Sequence, residues 1–376
     1  MSHMTRVLIN ASNLHYGGGV QVAVSFIYDC LLARCDFNYI VSSKVYDNLK
    51  EVLPTKEMLN NISILDVYGF SSLKSKDKKM FAKFDLCFTI FGPFYYQIPV
   101  DRHICGFAQP WVAYPKNEVY GMISTLDLVK TKLKFCIQKY FFSKYDLLIV
   151  EQEHVKDALI EQGFKRDNIK VVSNAVSSVF FDKKCWSKVT IPNELSDSSN
   201  LTLGFIGRNY IHKNLKILSK VDSILKNKFN LTVNFLFTLS DDEMKENEFD
   251  KIKNFYSVGS LSLSQCPSFY QFIDALIFPS LLECFSATPI EAKIMGKPIF
   301  ASNRSFITGT VDINRLYLFE PTSADSIAST IELALRSEKF YQEDFSFKYM
   351  DVFTSEMRTN KYLDIIDNFR SDKYDV

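Results

Sequence analysis

Short, unbroken runs of apolar residues alternate with helix-like stretches along nearly the whole chain, and this alternation limits the fold more than any other feature. Strands that are apolar along their full length are buried on both faces, which implies a parallel sheet covered by helices. The first half of the chain predicts strands near residues 6–12, 39–43, 62–67, 86–91, 103–107, 147–150 and 170–173. The second half predicts strands near residues 201–208, 232–237, 256–258, 275–278, 298–301 and 316–319. We therefore expect an α/β protein.

The domain boundary is predicted where the composition changes, between about residues 180 and 200, because residues 191–200 are typical of turns and linkers. We predict two Rossmann-like domains facing across a cleft, an N-terminal one at residues 4–178 and a C-terminal one at residues 200–346. An amphipathic helix over residues 357–372 is expected to return to the N-terminal domain.

Composition and charge exclude several classes of protein. Lys and Arg total 44 against 43 Asp and Glu, so the net charge of +1 gives no general attraction to nucleic acid. No window approaches the ~18 consecutive apolar residues of a membrane-spanning helix. None of the eight cysteines forms a Cys-x-x-Cys pair and most lie in apolar runs, so we predict buried thiols rather than zinc sites or disulfides. With no signal-peptide pattern, we expect a cytoplasmic location.

The first segment with potential for chemistry is the glycine run Gly17-Gly18-Gly19, which follows a strand and opens a helix. Glycines allow close backbone approach, and a helix N-terminus offers N–H groups and a positive dipole end to an anion. The spacing matches neither Gly-x-Gly-x-x-Gly nor a P-loop. A tight turn without a ligand is the alternative interpretation.

The second segment, Gly207 to Asn214, also follows a strand and opens a helix. Arg208 and Lys213 lie five residues apart there, close enough for both to reach a diphosphate, one as a planar fork and the other as a point charge. The alternative is a pair of solvated charges. His15 and His212 are interpreted as polar loop histidines.

The third segment, residues 278–298, gives the strongest signal. A strand ends at Pro279, Glu283 lies in an apolar loop, and a helix is predicted from about Ala287 to Met295 with Glu291 in its early turns. A favourable interaction with the helix dipole is enough to explain Glu291 near the start of the helix. It does not explain Glu283, which lies eight positions earlier in the loop. This arrangement can hold sugar hydroxyls with carboxylates and phosphate with backbone N–H groups.

These segments together resemble retaining glycosyltransferases of the family-4 type, which have the GT-B fold. Glu283-(x)7-Glu291 within "PSLLECFSATPIEAKIMGKPIFASN" resembles the family signature. "NASNLHYGGGVQVA", "YDLLIVEQEHVKDALIEQGF" and "GFIGRNYIHKN" resemble further family segments in the right order, so the resemblance covers most of the chain.

The resemblance implies a role for each matching residue. Arg208 and Lys213 would neutralise the nucleotide diphosphate, Glu283 would hold a hydroxyl of the donor sugar, and Glu291 would hold the ribose. We take Glu283, Arg208 and Lys213 as the catalytic set. The other donor-binding candidates are the backbone N–H groups of Cys284, Phe285 and Ser286, Leu261 against the base, and Gly18 and Gly19 from the opposite domain.

The chain departs from the family pattern at two places. The usual Glu-Gly-Phe-Gly is Glu-Cys-Phe-Ser here, and Ala108-Gln109 stands where the family often has His-Asp, so Gln109 is kept as a donor-binding candidate. His103 lies too early in its strand to be an obvious replacement. No Asp-x-Asp follows a strand, and residues 241–243 are interpreted as dipole partners of a helix, so we expect no metal and no cofactor beyond the nucleotide-sugar co-substrate.

Residues 130–144 are basic and aromatic, and two interpretations stay open. The segment can lie on an anionic membrane surface, near a lipid-linked saccharide acceptor at the inner face of the cytoplasmic membrane. It can equally be an ordinary helix with a lysine face.

The main hypothesis is sugar transfer with retention of configuration, independent of metal, in bacterial O-antigen or capsule biosynthesis. By the same resemblance the N-terminal domain would bind the acceptor and the C-terminal domain the nucleotide sugar. A nucleotide-sugar epimerase and a non-catalytic nucleotide-sugar-binding protein are the alternatives, since both can use the same architecture.

Overall fold

The computed structural model describes residues 5–70, 73–196, 199–311, 314–342 and 353–371. Within these ranges the chain forms two compact α/β units. The first unit contains residues 5–115, 125–175 and 353–371, and the second contains residues 116–124 and 176–342, apart from the gaps.

Each unit is built on one parallel sheet. The strands of the first unit are β1 Val7–Ala11, β2 Phe37–Val41, β3 Ile62–Ile64, β4 Leu86–Thr89, β5 Arg102–Phe107, β6 Leu147–Val150 and β7 Ile169–Val171, in the order β3-β2-β1-β4-β5-β6-β7. Those of the second are β8 Thr202–Phe205, β9 Asn234–Phe237, β10 Phe255–Ser257, β11 Ala275–Phe278, β12 Ile299–Ser302 and β13 Leu316–Phe319, in the order β10-β9-β8-β11-β12-β13. This confirms the predicted fold class.

The helices connect the strands and cover the faces of the sheets. In chain order they are α1 Gly18–Leu32, α2 Ser43–Val52, α3 Ser75–Lys78, α4 Pro110–Ala113, α5 Thr125–Phe142, α6 Glu153–Glu161, α7 Asn193–Ser196, α8 Ile217–Phe229, α9 Asp241–Glu246, α10 Cys266–Phe272, α11 Ala287–Ile294, α12 Ser305–Thr308, α13 Ala324–Leu335, α14 Glu338–Tyr341 and α15 Ser355–Ser371. Over the described ranges, no helix is long and apolar enough to cross a membrane.

The C-terminal helix α15 packs on α1 in the first unit, as the predicted fold requires. Tyr362 of α15 meets Phe26 of α1 edge to face, with ring centroids 5.4 Å apart. Arg358 is 2% exposed and donates hydrogen bonds to Asn174 Oδ1 at 2.6 Å and to Ser25 Oγ at 2.5 Å. A buried cation with two bonds therefore fixes the returning helix.

The second unit includes two segments that lie outside residues 200–346. Residues 116–124 precede α5 along the chain, yet Glu118 in this segment forms an ion pair with Arg304 at 2.8 Å. Phe180 and Leu195, within the predicted linker, are buried in the core of the second unit. Apolar residues inside a segment rich in turn residues therefore anchor it to the second sheet.

Two sequence expectations need correction at the level of single residues. Cys136 and Cys185 are exposed, whereas five of the other cysteines are buried. Residue Ser43, predicted at the end of a strand, instead begins α2, because the Ser42 hydroxyl accepts the Val45 N–H and caps that helix.

Candidate functional site

The candidate residues follow strands at the centre of each sheet, where the order of the strands changes side. This switch lies between β1 and β4 in the first unit and between β8 and β11 in the second. The loops after these strands diverge, and ligands of open α/β sheets bind in the crevice they leave. Gly18 and Gly19 follow β1, Lys213 follows β8, and Glu283 and Glu291 follow β11. The sheet of the second unit therefore brings three of them to one switch point.

An ion pair joins the two loops at this point. Lys213 Nζ lies 2.5 Å from Glu283 Oε1, and the two side chains are 13% and 9% exposed. The Ser280 hydroxyl donates to the same oxygen at 2.6 Å. A charge-assisted bond between mostly buried groups is short and strong, so the lysine is held at a defined position. Lys213 and Ser280 both bond to Oε1 of Glu283, so neither of these two bonds uses Oε2.

Further contacts around the His212 carbonyl hold together the two loops that carry Lys213 and Glu283. The His212 carbonyl accepts a hydrogen bond from the Leu281 N–H at 2.8 Å. The Ser280 Oγ lies 3.2 Å from the same carbonyl, but its one hydrogen is directed to Glu283 at the shorter distance. Lys213 Nζ also lies 5.1 Å from the ring centroid of Phe278 at the end of β11. Burial lowers the pKa of the His212 imidazole to about 4, outweighing the nearby Glu283 carboxylate, so this ring is neutral near pH 7.

Arg208 lies in a different environment from Lys213. Its side chain is exposed, its Nη1 donates to Ser260 Oγ at 3.1 Å, and its Nε lies 3.7 Å from Glu243 Oε1. Glu243 is fixed in turn by the capping box at the start of α9, which agrees with its interpretation as a dipole partner. The structure thus directs Arg208 towards the loop after β10 and Lys213 towards Glu283.

The start of α11 offers backbone donors beside Glu283. Within the described part of the chain the N-cap residue Ser286 makes no side-chain capping bond. Pro289 lacks an N–H, so the remaining N–H groups of the first turn are those that an outside acceptor can take. Cys284 is buried, whereas Phe285 and Ser286 are half-buried.

Glu291 lies on α11 beside Tyr270. The Tyr270 hydroxyl lies 3.0 Å from Glu291 Oε2 and 3.0 Å from the Thr288 carbonyl. Burial raises the pKa of the Glu291 carboxyl to about 7, against the opposing effect of the Tyr270 hydrogen bond. The carboxyl therefore changes its charge near neutral pH.

The remaining donor-binding candidates occupy loops at strand ends. Gly17, at the N-cap of α1, has φ 73°, which favours glycine. A Cβ on Gly18 would meet no described atom within 4 Å, so no described neighbour requires glycine there. Gln109 precedes α4 and is half-buried. Leu261 is half-buried against the core of the second unit.

Other polar residues have roles within the fold. His15 stacks on Tyr68 with ring centroids 3.9 Å apart, and the His103 ring bonds the Thr89 hydroxyl at 2.8 Å. Burial lowers the pKa of His103 to about 3. Among the described residues, no three His, Cys, Asp or Glu form a group suited to a metal ion.

Sequence reasoning missed two site residues. Ser280 holds Glu283, and its place directly after β11 was the available signal. Tyr270 holds Glu291 from α10, 21 residues earlier, and no local pattern distinguishes it from a core aromatic.

Comparison with known proteins places the site inside a family segment. Residues 188–345 match the family described as Glycosyl transferases group 1, and this segment contains Arg208, Lys213, Glu283 and Glu291. An uncharacterized 41.2 kDa protein in the cps region of Klebsiella pneumoniae is 26% identical over 177 residues, which is 46% of this chain and 47% of that protein. The match thus spans about half the length of this relative.

Solved structures show the same fold over nearly the full chain. HepE from Anabaena, solved with UDP and glucose, has a TM-score of 0.66 at 15% identity, covering 97% of this chain and 100% of that one. A glycosyltransferase from Rickettsia africae has a TM-score of 0.66 at 16% identity, covering 98% and 100%. The lipopolysaccharide outer core galactosyltransferase WaaB has a TM-score of 0.55 at 13% identity, covering 97% and 99%. The fold is therefore GT-B.

Proposed function

We propose that the protein moves a sugar from a nucleoside-diphosphate sugar to a lipid-linked saccharide acceptor, because residues 188–345 match the family described as Glycosyl transferases group 1 and the chain has the GT-B fold. We propose further that the transfer retains the anomeric configuration and needs no metal. The observation that carries this proposal is the mostly buried pair of Lys213 and Glu283 at the switch point of the second sheet.

Lys213 and Arg208 hold the diphosphate of the donor in this proposal. Breaking the glycosidic bond leaves negative charge on the diphosphate, and cations fixed beforehand stabilise that charge without reorganising. Glu283 fixes Lys213 through Oε1, which leaves Oε2 to accept a hydroxyl of the donor sugar. The N–H groups at the start of α11 provide further donors to phosphate.

Glu291 accepts the ribose hydroxyls, and Leu261 lies against the base. Anabaena HepE has also been solved with UDP-glucose, which supports a nucleotide sugar as the donor. In the first unit, Gly18, Gly19 and Gln109 stay our candidates for donor contacts.

The surface of helix α5 supports the proposal that the acceptor is linked to a lipid. Leu126, Val129, Leu133 and Tyr140 lie three, four and seven residues apart, on one side of the helix, and are 57–75% exposed. The opposite side packs inward through residues that include Phe135, which stacks on Trp111. Lysines lie on and just after the helix, at Lys130, Lys132, Lys134, Lys139 and Lys144. An apolar stripe flanked by cations suits the surface of an anionic membrane.

The biological context is proposed from two relatives. One of them lies in a cps region and the other is a lipopolysaccharide galactosyltransferase. We therefore place the reaction in O-antigen or capsule biosynthesis, at the inner face of the cytoplasmic membrane.

A donor screen tests the proposal. The protein is melted in the presence of UDP-, GDP- and dTDP-sugars, because a ligand that binds the folded state raises its melting temperature. At least one nucleotide sugar should raise it, and Lys213→Ala should abolish that rise. The sugar identified is then supplied with membrane lipid extract, and the anomeric proton of the product is read by NMR. A full panel without any shift, or an inverted product, refutes the corresponding part of the proposal.

A further inference from the structure

The turn that ends helix α1 brings two cysteines together. Ala33 caps the helix, and Arg34 after it adopts the left-handed conformation with φ 55°. The Cys35 N–H donates to the Cys30 carbonyl at 2.9 Å, and the Arg34 N–H donates to the Leu31 carbonyl at 3.2 Å. These two bonds define the Schellman motif, in which the side chains at the positions of Cys30 and Cys35 commonly touch.

The two thiols differ in their access to water. Cys30 is 0% exposed in the core of the first unit, whereas Cys35 is half-buried and packs against the same core. The Cys30 thiol donates a hydrogen bond to the Cys35 sulfur, and this bond lowers the pKa of Cys35 to about 7. The same bond, together with burial, raises the pKa of Cys30. Cys35 therefore ionises first, and the thiolate is the reactive form of a cysteine.

Charged groups on two helices surround the pair without deciding which thiol ionises. Asp367 of α15 raises the pKa of the half-buried thiol and Arg370 lowers it, and both effects are smaller than that of the hydrogen bond between the thiols. Asp29 of α1 raises the pKa of the buried thiol. On β2, burial raises the pKa of the Tyr39 hydroxyl, so this group stays neutral near pH 7.

The other buried cysteines of this unit lack an accessible partner of this kind. Cys87 on β4 and Cys105 on β5 lie on neighbouring strands, but both are 0% exposed, and burial raises the pKa of each thiol. The pair at the end of α1 combines a reachable thiol with a buried one in contact with it. A thiol that a small molecule can reach, backed by a second thiol, is the arrangement of a site that oxidises reversibly.

We propose that Cys30 and Cys35 form a reversible disulfide when the protein meets a low-molecular-weight disulfide such as glutathione disulfide. The Cys35 thiolate attacks one sulfur of glutathione disulfide, breaks its S–S bond and releases one glutathione thiolate. Cys30 then loses its proton, and its thiolate attacks the Cys35 sulfur and expels the second glutathione. The two glutathione thiolates take up the two protons that the cysteines give up. Two protein thiols are thus oxidised while one disulfide is reduced, and the step is independent of the proposed sugar transfer.

The position of the bond suits reversible rather than structural use. The loop that it closes is short, so the bond restricts the unfolded chain less than a disulfide between distant residues does. Disulfides of proteins in reducing compartments are usually transient or redox-sensing.

Peptide mapping of the full chain tests the proposal. The folded protein is equilibrated in glutathione buffers of rising oxidised fraction, its free thiols are trapped with iodoacetamide, and it is digested with trypsin. Cleavage after Arg34 separates residues 7–34, which contain Cys30, from residues 35–44, which contain Cys35. These two peptides should be linked in most of the protein in the oxidised buffers and should separate again with dithiothreitol.

Two substitutions of the buried cysteine separate its roles. In Cys30→Ser the linked peptides should disappear and Cys35 should carry glutathione instead, because the second step has no thiol. The serine hydroxyl can still donate to Cys35, so the midpoint of its alkylation should stay near pH 7, whereas Cys30→Ala should raise that midpoint. The exposed Cys136 is the control thiol in the same chain. A cooperative urea transition of Trp111 fluorescence shows that each variant is folded.

Three results would overturn the inference. The wild type yields no linked peptides although Cys136 acquires glutathione; the peptides become linked only in urea; or Cys35 of the wild type carries as much glutathione as Cys35 of Cys30→Ser. The first two results use the wild type alone, so they stand whatever the stability of the variants.

Discussion

Replacing Glu291 with glutamine should stabilise the second unit above pH 7 and change little near pH 5. Burial raises the pKa of this carboxyl from 4.5 to about 7. The folded state then binds the proton more tightly than the unfolded state, so the free energy of unfolding falls as the pH rises from 4.5 to 7. Each pKa unit corresponds to 1.36 kcal/mol, which gives about 3 kcal/mol at pH 8.5. Glutamine keeps the shape and the acceptor for Tyr270 but never becomes charged.

The two tryptophans make the assay specific for one unit. Trp111 lies in the first unit and Trp186 in the second, and the sequence contains no other. In a Trp111→Phe background, the fluorescence of Trp186 during urea unfolding reports the second unit. Midpoints are measured from pH 5 to pH 8.5 with and without Glu291→Gln. Glu161→Gln, which removes an exposed carboxylate on α6, is the control.

The difference between Glu291→Gln and its parent should grow with pH, while Glu161→Gln should follow the parent throughout. A difference that is constant over this range would show that the carboxyl does not titrate in the folded state as argued. A glutamine variant that is less stable at pH 8.5 would contradict the sign. The proposed role of Glu291 accounts for a charge that destabilises the fold, because an ionised carboxylate accepts the hydroxyls of the ribose.

The remaining predictions concern other parts of the molecule. Arg208→Ala should cost about 2–4 kcal/mol of transition-state stabilisation, and EDTA should leave wild-type turnover unchanged; turnover that collapses in EDTA and returns with Mn²⁺ contradicts metal independence. Leu133→Glu should reduce flotation with anionic liposomes at low salt, whereas the control Leu333→Glu, 67% exposed on α13, should not; a wild type that never floats favours an ordinary helix. Arg358→Ala should destabilise the first unit by about 3 kcal/mol or more, because it removes two bonds from a buried cation; an unchanged urea midpoint of Trp111 fluorescence refutes this.

The strands were predictable because each is a local run of apolar residues. All thirteen expected strands occur in the described ranges, and the boundaries that differ do so by one to three residues. β6 agrees at both ends, because apolar Leu147–Val150 is bounded by Asp146 and Glu151. Local patterns therefore carry most of the information about the fold.

Contacts between distant residues were not predictable in the same way. Glu118 and Arg304 are 186 residues apart in sequence, and nothing near Glu118 indicates that its segment packs with the second sheet. The pairing of Lys213 with Glu283 joins two motifs that the sequence suggested separately, 70 residues apart. Cys30 and Cys35 match no cysteine motif in the sequence, and only the structure shows the turn that brings their thiols together.

The central claim is that one carboxylate serves the donor sugar and the other the ribose. Calorimetric titration with the bare nucleoside diphosphate and with the intact donor tests it in Glu283→Gln and Glu291→Gln. Glu291→Gln should weaken both ligands by about ten- to a hundredfold, the value of a hydrogen bond from a charged group. Glu283→Gln should bind the bare diphosphate at least as tightly as the wild type, because Lys213 loses its anionic partner, but should lose affinity for the intact donor. A Glu283→Gln variant that loses the bare diphosphate as severely as Glu291→Gln would contradict the account.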